Sequence, residues 1–150
     1  MKNIYSNIFS FNKKNLNKII SILNKGDIVG LPTETVYGLG GNAYSKMAVN
    51  KIFKLKKRPK FNPLIVHYYN LKNAKRDVEM NDVFYKLYRK FCPGPITFIL
   101  NKKKQSKIQS LVNANLKTVA IRFPSHNFTR SILSCIKFPL AMPSANLFSS

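Results

Sequence analysis

Residues 56–67 read KKRPKFNPLIVH and stand where an apolar helical pattern gives way to a short apolar strand pattern. The stretch opens on Lys56, Lys57 and Arg58, and prolines follow. Lysine and arginine clustered at such a junction can bind phosphate, because arginine offers a planar fork of donors and lysine a mobile point charge. They are equally typical of a helix C-terminus, where cations suit the helix dipole and prolines end the helix. Taken alone, the stretch favours the second interpretation.

Helical spacing of apolar residues predicts four helices around this stretch. Candidate N-caps are Asn12 for the first helix, Ser45 for the second, and Asn81 or Asp82 for the third, and Gly26 ends the first helix. The residues predicted to face the core from the second and third helices are Ala48, Val49, Ile52, Phe53, Leu55, Val83, Phe84, Leu87, Tyr88 and Phe91.

Short apolar runs predict five strands, at residues 28–31, 64–66, 96–100, 118–123 and 140–142. The glycine-rich segment 32–43, PTETVYGLGGNA, predicts a loop or an irregular strand, and residues 69–80 carry too weak a pattern to predict an element. Helices and strands alternate without an internal repeat or a linker. This order predicts a single layered α/β domain over residues 1–150.

The charge of the chain is strongly positive, with 26 Lys and Arg against 5 Asp and Glu and a formal net charge of +21. Such a surface attracts nucleic acid, nucleotides or anionic membranes. Biased composition explains the excess equally well, since Lys, Asn and Ile recur throughout the chain. RNA contact and compositional bias therefore both remain open.

Few residues are available to hold a metal ion. The five acids form no tight cluster, so we predict no metal site made by the protein, and any Mg²⁺ would arrive on substrate phosphates. Cys92 and Cys135 stand singly without a CxxC pattern, which predicts two buried thiols in a reducing compartment. No apolar run approaches about 18 residues, so we expect a cytoplasmic protein that makes no membrane contact.

Polar residues directly follow several predicted strands: Thr33, His67, Arg122, Ser144 and Asn146. Ligands of α/β folds gather at the carboxyl ends of strands, so we expect these side chains to surround one site. Each also has an ordinary explanation, as a turn former, a structural histidine or a salt-bridging arginine.

Five segments in order complete the pattern: GDIVGLPTETVYGLGGNA (26–43), IFKLKKRPKFNPLIVH (52–67), CPGPITFIL (92–100), TVAIRFPSH (118–126) and PLAMPSAN (139–146). The ordered set resembles the YrdC-like family of L-threonylcarbamoyladenylate synthases. The resemblance covers residues 26–146 and implies a single YrdC-like α/β domain, in which helices flank a twisted mixed β-sheet.

Enzymes of this family form threonylcarbamoyl-AMP and pyrophosphate from L-threonine, bicarbonate and ATP, for the threonylcarbamoyladenosine modification of tRNA. The resemblance thus implies a nucleotidyltransferase whose Mg²⁺ is carried on the ATP phosphates. The implied partners are ATP, L-threonine and bicarbonate, the downstream tRNA threonylcarbamoyltransferase proteins, and tRNA itself as a contact.

The resemblance also assigns the site residues. The KxR motif places Lys56 and Arg58 as catalytic residues on the nucleotide phosphates, whereas Lys57 falls on the variable position. Residues implied for the threonine and bicarbonate side are Thr33, His67 and Arg122. Residues implied for nucleotide binding are Lys56, Arg58, Asn62, Pro63, Leu64, Thr97, and Ser144 and Asn146 of the SxN motif.

Family members continue well past the SxN motif, whereas this chain ends four residues after it. We therefore expect the C-terminal part of the family domain to be absent. Two alternative functions stay open. One is a relative that adenylates carbamoyl groups for other acceptors, and the other is a non-catalytic RNA-binding protein on the same fold.

Overall fold

A computed structural model describes residues 10–146 of the chain, and eleven helices and strands lie within them. Their order is α1 (Lys13–Asn24), β1 (Val29–Leu31), β2 (Gly38–Asn42), α2 (Lys46–Lys56), β3 (Ile65–His67), α3 (Leu71–Ala74), α4 (Asp82–Phe91), β4 (Thr97–Asn101), β5 (Thr118–Arg122), α5 (Asn127–Cys135) and β6 (Leu140–Ala141).

The strands form one mixed sheet in the order β1-β2-β6-β3-β5-β4. The pairing of β3 with β5 is parallel, and the other neighbouring pairs are antiparallel. The mixed α/β sheet that the sequence predicted is therefore confirmed, and β2, from the glycine-rich segment, is its additional strand.

The sheet separates two hydrophobic clusters. Side chains alternate between the two faces along each strand, and Val66, Phe98 and Ile121 point into the larger cluster. Residues of α2 and α4 complete this cluster. Leu140, one position from Ala141 on β6, belongs instead to the smaller cluster with α1 and α5. Helices therefore cover both faces, but β4 and β5 have little cover on the face opposite the larger cluster, where Ile99 is 70% exposed.

The predicted helix N-caps are confirmed. Side-chain oxygens of Asn12, Ser45 and Asn81 accept hydrogen bonds from backbone N–H groups three residues onward, at 2.8–3.1 Å. Each bond satisfies a donor that the first helical turn leaves free. The short helix α3, capped by Asn70, was not predicted, because four residues are too few to show a period.

The predicted inward face of α4 was wrong in part. Phe84 is buried and stacks edge-on against Phe98, whereas Val83 is 66% exposed and Leu87 and Phe91 are also exposed. Successive helical residues point about 100° apart, so the row beginning at Val83 turns outward when the row of Phe84 faces the sheet. Leu55 of α2, 58% exposed, was wrongly placed in the core for the same reason.

The cysteine prediction was also wrong in part. Cys92 is half-buried, and burial raises the pKa of its thiol to about 11, whereas Cys135 is exposed near the end of α5. Among the described helices, none combines the length and the apolar character needed to cross a membrane.

Candidate active site

A cleft of about 280 Å³ lies on the face of the sheet opposite the larger hydrophobic cluster. Six of the residues that the sequence singled out line it: Thr33, Arg58, Pro63, His67, Arg122 and Ser144. The rest of its wall comes from residues 35–38, from Ile65, and from residues 142–143.

His67 and Arg122 meet because β3 and β5 are parallel neighbours in register. Ile65 and His67 project to the cleft face, and the intervening Val66 projects into the core. On the other side of Arg122, Thr97 of β4 is its register partner. Arg122 donates to Thr97 Oγ1 from Nε at 3.1 Å and from Nη2 at 2.7 Å, so Thr97 fixes the guanidinium from outside the cleft.

His67 is a neutral imidazole in this structure. Its side chain is 2% exposed, and its Nδ1 lies 3.2 Å from the carbonyl oxygen of Ile65, to which it donates. Burial, followed by the nearby charge of Arg122, lowers the pKa of His67 to about 4, although the Ile65 carbonyl opposes the shift. The positive charge of the cleft wall therefore comes from its arginines.

The KxR turn places alternate residues in different environments. Lys57 adopts a left-handed conformation with φ 51°, its N–H reaches the carbonyl of Lys54, and the N–H of Arg58 reaches that of Phe53. This pattern is a Schellman ending, which stops α2 and reverses the chain. Lys57 is exposed, while Lys56 before it is buried and Arg58 after it lines the cleft.

Arg58 is held by the segment that follows it. Its Nε donates to the carbonyl of Asn62 at 2.9 Å, and its Nη2 donates to Asn62 Oδ1 at 3.0 Å and to the Pro63 carbonyl at 2.7 Å. Burial lowers the pKa of Arg58, yet an arginine stays charged at neutral pH. The guanidinium is thus oriented before any ligand binds.

Lys56 does not line the cleft. It is 3% exposed at the end of α2, and burial followed by the charge of Arg58 lowers the pKa of its ammonium group. Its side chain forms no hydrogen bond or ion pair with any of residues 10–146. A buried ammonium beside Arg58 would gain free energy from an anion, because the anion would offset both the burial and the repulsion.

The loop of residues 32–37 is anchored to the chain beyond β5. Glu34 Oε1 accepts from the backbone N–H of Ser125, and Thr129 Oγ1 donates to the Pro32 carbonyl. Burial of Glu34 alone would raise its pKa, but the Ser125 hydrogen bonds and the charge of Arg122 reverse this, so the pKa is lowered. Oε2 of Glu34 is buried with no hydrogen-bond partner among the described residues.

Ser144 enters the cleft beside the start of β2. It forms an antiparallel bridge with Gly38, and the N–H of Ala145 donates to the Tyr37 carbonyl at 2.8 Å. Gly38 is required there, because a Cβ would lie 2.4 Å from Cγ of Met142. Asn146 is exposed and lies outside the cleft wall.

The structure thus divides the predicted site residues. Asn62 and Thr97 support the two cleft arginines, and the Leu64 side chain lies in the core at 1% exposure. The sequence reasoning missed the backbone of Tyr37 and Gly38 and the anchoring role of Glu34. The signal was the glycine-rich PTETVYG segment, since a chain that approaches other atoms closely needs glycine.

The sequence analysis attributed the shared site to carboxyl ends of strands at one edge of the sheet, and this explanation was wrong. His67 and Arg122 share a carboxyl edge because β3 and β5 are parallel. Ser144 follows β6, which runs antiparallel to β3, so it approaches from the opposite end, where Pro63 precedes β3. Polar residues from both ends of the sheet therefore reach one cleft across its face.

The described part of the chain offers no group of three His, Cys, Asp or Glu side chains that could hold a metal ion. Glu34, the acid next to the cleft, already accepts a backbone hydrogen bond. What the cleft can do is bind anions, with two oriented arginines, a neutral histidine and the hydroxyl group of Ser144, whereas the Thr33 hydroxyl donates to the Val36 carbonyl.

Comparison with protein families matches residues 21–150 to the Sua5/YciO/YrdC model, described as "Telomere recombination". Similar curated proteins are threonylcarbamoyl-AMP synthases. That of Pyrococcus abyssi is 37% identical over 83% of this chain, and that of Bacillus subtilis is 39% identical over 92%. The chain spans 36% and 40% of those two proteins' lengths.

A shorter relative is the putative threonylcarbamoyl-AMP synthase of Methanocaldococcus jannaschii, 32% identical over 98% of this chain and 70% of its own length. Among solved structures, Sua5 of Pyrococcus abyssi complexed with L-threonine superposes with a TM-score of 0.86 at 34% identity, covering 91% of this chain and 40% of that chain.

Proposed function

The chain belongs to the Sua5/YciO/YrdC family, and from that premise we propose that it is an L-threonylcarbamoyladenylate synthase. The proposed reaction joins L-threonine, bicarbonate and ATP into threonylcarbamoyl-AMP and releases pyrophosphate. The observation that carries this proposal is the convergence of Arg58, Arg122, His67, Thr33 and Ser144 on one anion-binding cleft. The similar Pyrococcus protein that crystallised with L-threonine supports threonine as the amino acid.

The chemistry requires negative charges to be brought together. The threonine nitrogen first attacks the bicarbonate carbon and water leaves, which gives a carbamate. A carbamate oxygen then attacks the α-phosphorus of ATP, and pyrophosphate departs as the bond to the bridging oxygen breaks. Water disfavours the meeting of two anions, whereas fixed cations in a partly enclosed cleft stabilise the charge that accumulates.

The geometry favours a division of labour across the cleft. Arg122, held by Thr97, faces the same space as His67, and this side suits the carboxylate of threonine and bicarbonate. A neutral His67 can share a hydrogen bond with either without adding charge. Thr33 also lines the cleft, where its hydroxyl donates to the Val36 carbonyl and fixes the loop of residues 32–37.

The opposite side suits the phosphates. Arg58 is oriented by Asn62 and Pro63, Lys56 lies buried two positions before it in sequence, and Ser144 lies on the facing wall. Nucleotide binding by Leu64, Thr97 and Asn146 stays a prediction of the family resemblance, because none of the three lines the cleft.

We treat Mg²⁺ as part of the substrate, bound to ATP before it enters. The described residues provide no acidic cluster of their own for the ion. Contact with tRNA and delivery of the adenylate to downstream tRNA threonylcarbamoyltransferase proteins are further parts of the proposal.

The test is pyrophosphate release by the purified chain from ATP, Mg²⁺ and bicarbonate, with and without L-threonine. We expect threonine-dependent release that falls at least about a hundredfold in Arg58→Ala and Arg122→Ala, because each arginine offsets charge in the transition state. Lys57→Ala is the matched control, since this exposed neighbour should leave the rate unchanged.

Each alternative function predicts a different result. A relative that adenylates carbamoyl groups for other acceptors would release pyrophosphate from carbamoyl phosphate and ATP without threonine. A non-catalytic protein would release none with either substrate while remaining folded. Either result would overturn the proposal.

A further inference from the structure

A second cavity of about 390 Å³ shares no residue with the cleft. Five of its eight lining residues are cations: Lys75, Arg76, Lys103, Lys107 and Lys137. In the catalytic cleft the proportion is two of thirteen, and in the whole chain it is 26 of 150. Positive charge is therefore concentrated here well beyond the bias of the composition.

The described residues neutralise only a small part of this charge. None of the five cations forms an ion pair with a described residue, and the one acid of the cavity, Asp77, is 1% exposed. Its carboxylate accepts hydroxyl hydrogen bonds from Tyr44, Tyr68 and Ser106 at 2.6–2.7 Å. Asp77 thus serves the frame of the cavity, and its single negative charge is outnumbered by the five cations.

The frame fixes separate segments around the cavity. The bonds to Asp77 join residues from the β2–α2 connection, the end of β3 and the loop after β4. Lys103 adds two links, from its N–H to the Asp77 carbonyl at 2.7 Å and from its Nζ to the Lys75 carbonyl at 2.6 Å. Apart from the Lys103 ammonium group, the network that holds these segments together uses none of the cationic groups of the cavity.

The cavity lies at the opposite end of the central strands from the proposed phosphate side of the cleft, near the strand ends that carry His67. Tyr44 follows the end of β2, and Lys137 precedes the start of β6. These two strand ends lie beside His67, because Asn42 pairs with Leu140 and Leu140 pairs with His67. Arg58, Pro63 and Ser144 lie at the other end of the central strands.

We propose that this cavity binds phosphate groups of an RNA backbone. Lysines at an open mouth present mobile point charges, which suit the repeated phosphates of a strand. A small anion such as pyrophosphate is commonly held by converging backbone N–H groups at a helix N-terminus, and no described helix of eight or more residues contributes its first turn to this lining. The net charge of +21 adds long-range attraction for a polyanion.

The experiment measures fluorescence anisotropy of a labelled single-stranded RNA of mixed sequence against the full chain, between about 50 and 200 mM salt. The cavity variant carries Lys75→Gln, Arg76→Gln, Lys107→Gln and Lys137→Gln, all at exposed positions, and leaves Lys103 and Asp77 intact. The matched control carries Lys13→Gln, Lys54→Gln, Lys86→Gln and Lys117→Gln, which are equally exposed and remove the same charge.

We expect the cavity variant to bind RNA about tenfold or more weakly than the control. Its slope of log affinity against log salt should become shallower by about 3, because four phosphate contacts are lost and each contributes about 0.7 on a single strand. Equal losses in the two variants would overturn the proposal, because net charge alone would then explain binding. Binding of inorganic tripolyphosphate without binding of RNA would likewise overturn it, as would binding of neither.

Threonine-dependent pyrophosphate release serves as a separate readout. The inference does not rest on the proposed activity. Both charge variants should retain threonine-dependent pyrophosphate release. Loss of RNA binding with retained release would therefore support the cavity, and loss of release in Arg58→Ala would leave the inference untouched.

Discussion

Thr97 determines how Arg122 is presented, since one hydroxyl oxygen accepts two hydrogen bonds from the guanidinium. Thr97→Val keeps the shape but leaves those donors without their acceptor. We expect kcat/KM for L-threonine to fall about tenfold, which corresponds to the loss of one or two hydrogen bonds. Thr97→Ser should restore most of it.

Thr118→Val is the control for this change, because Thr118 lies on the same strand pair at the end away from the cleft. Calorimetric titration of L-threonine gives the same comparison without turnover. If Thr97→Val bound threonine as well as the unmodified chain, Thr97 would have no part in orienting Arg122.

The lowered pKa of the buried His67 predicts that the stability of the fold depends on pH. The unfolded chain takes up a proton on this histidine near pH 6.5, whereas the native chain does so only near its lowered pKa of about 4. Between these values the unfolded state binds more protons, so stability falls as the pH drops, in total by on the order of 3 kcal/mol.

Urea unfolding from pH 7 to pH 4 measures this effect. His67→Gln cannot titrate, so its stability should fall less steeply over the same range, whatever its stability at pH 7. Glu34, whose pKa is lowered, contributes stability that acid removes as the pH falls below its ordinary value of 4.5, so its effect enters only at the acid end of this range and is present in both chains. Equal slopes in the two chains would contradict a buried neutral His67.

At the scale of elements, the ending of α2 depends on a lysine in a left-handed conformation, which glycine adopts more readily. Lys57→Gly should therefore stabilise the chain by up to about 1 kcal/mol. The same change at Lys54, an exposed interior position of the same helix, should cost about 1 kcal/mol. A urea midpoint above that of the unmodified chain for Lys57→Gly and below it for Lys54→Gly would confirm the cap. A lower midpoint for both variants would refute it.

The pairing of β2 with the segment after β6 depends on a missing side chain. Gly38→Ala would place Cβ 2.4 Å from Met142 Cγ, and Met142 is 3% exposed. Overpacking of this kind costs about 1–3 kcal/mol, and it should also displace Ser144 and slow turnover. Gly30→Ala on the neighbouring strand meets nothing within 4 Å and is the matched control. Equal stability of the two variants would contradict the close approach.

At the scale of the whole molecule, repulsion between cations opposes folding. The chain carries 26 cationic side chains against 5 acidic ones, so salt screens more repulsion than attraction. We expect the urea midpoint to rise as sodium chloride increases from about 0.01 M to 0.15 M, over which the screening length falls from about 30 to 8 Å. The rise should be smaller in the cavity variant, and a fall with salt would contradict the prediction.

The sequence by itself determined the local features of this protein. The caps at Asn12, Ser45 and Asn81 and most strand positions follow from short-range hydrogen bonding and from apolar periods of nearby residues. The ordered motifs also indicated the family and most of the cleft wall, since Arg58 is oriented by residues only four and five positions onward.

The tertiary structure alone decided what depends on distant parts of the chain. Strand direction brought Ser144 to the cleft from the end opposite the one expected, and helix rotation exposed the Val83 row of α4. The cavity around Asp77 gathers cations from three separate segments of the chain. Pairing direction, rotation and burial are set by contacts between residues far apart in sequence, and local preference contains no information about them.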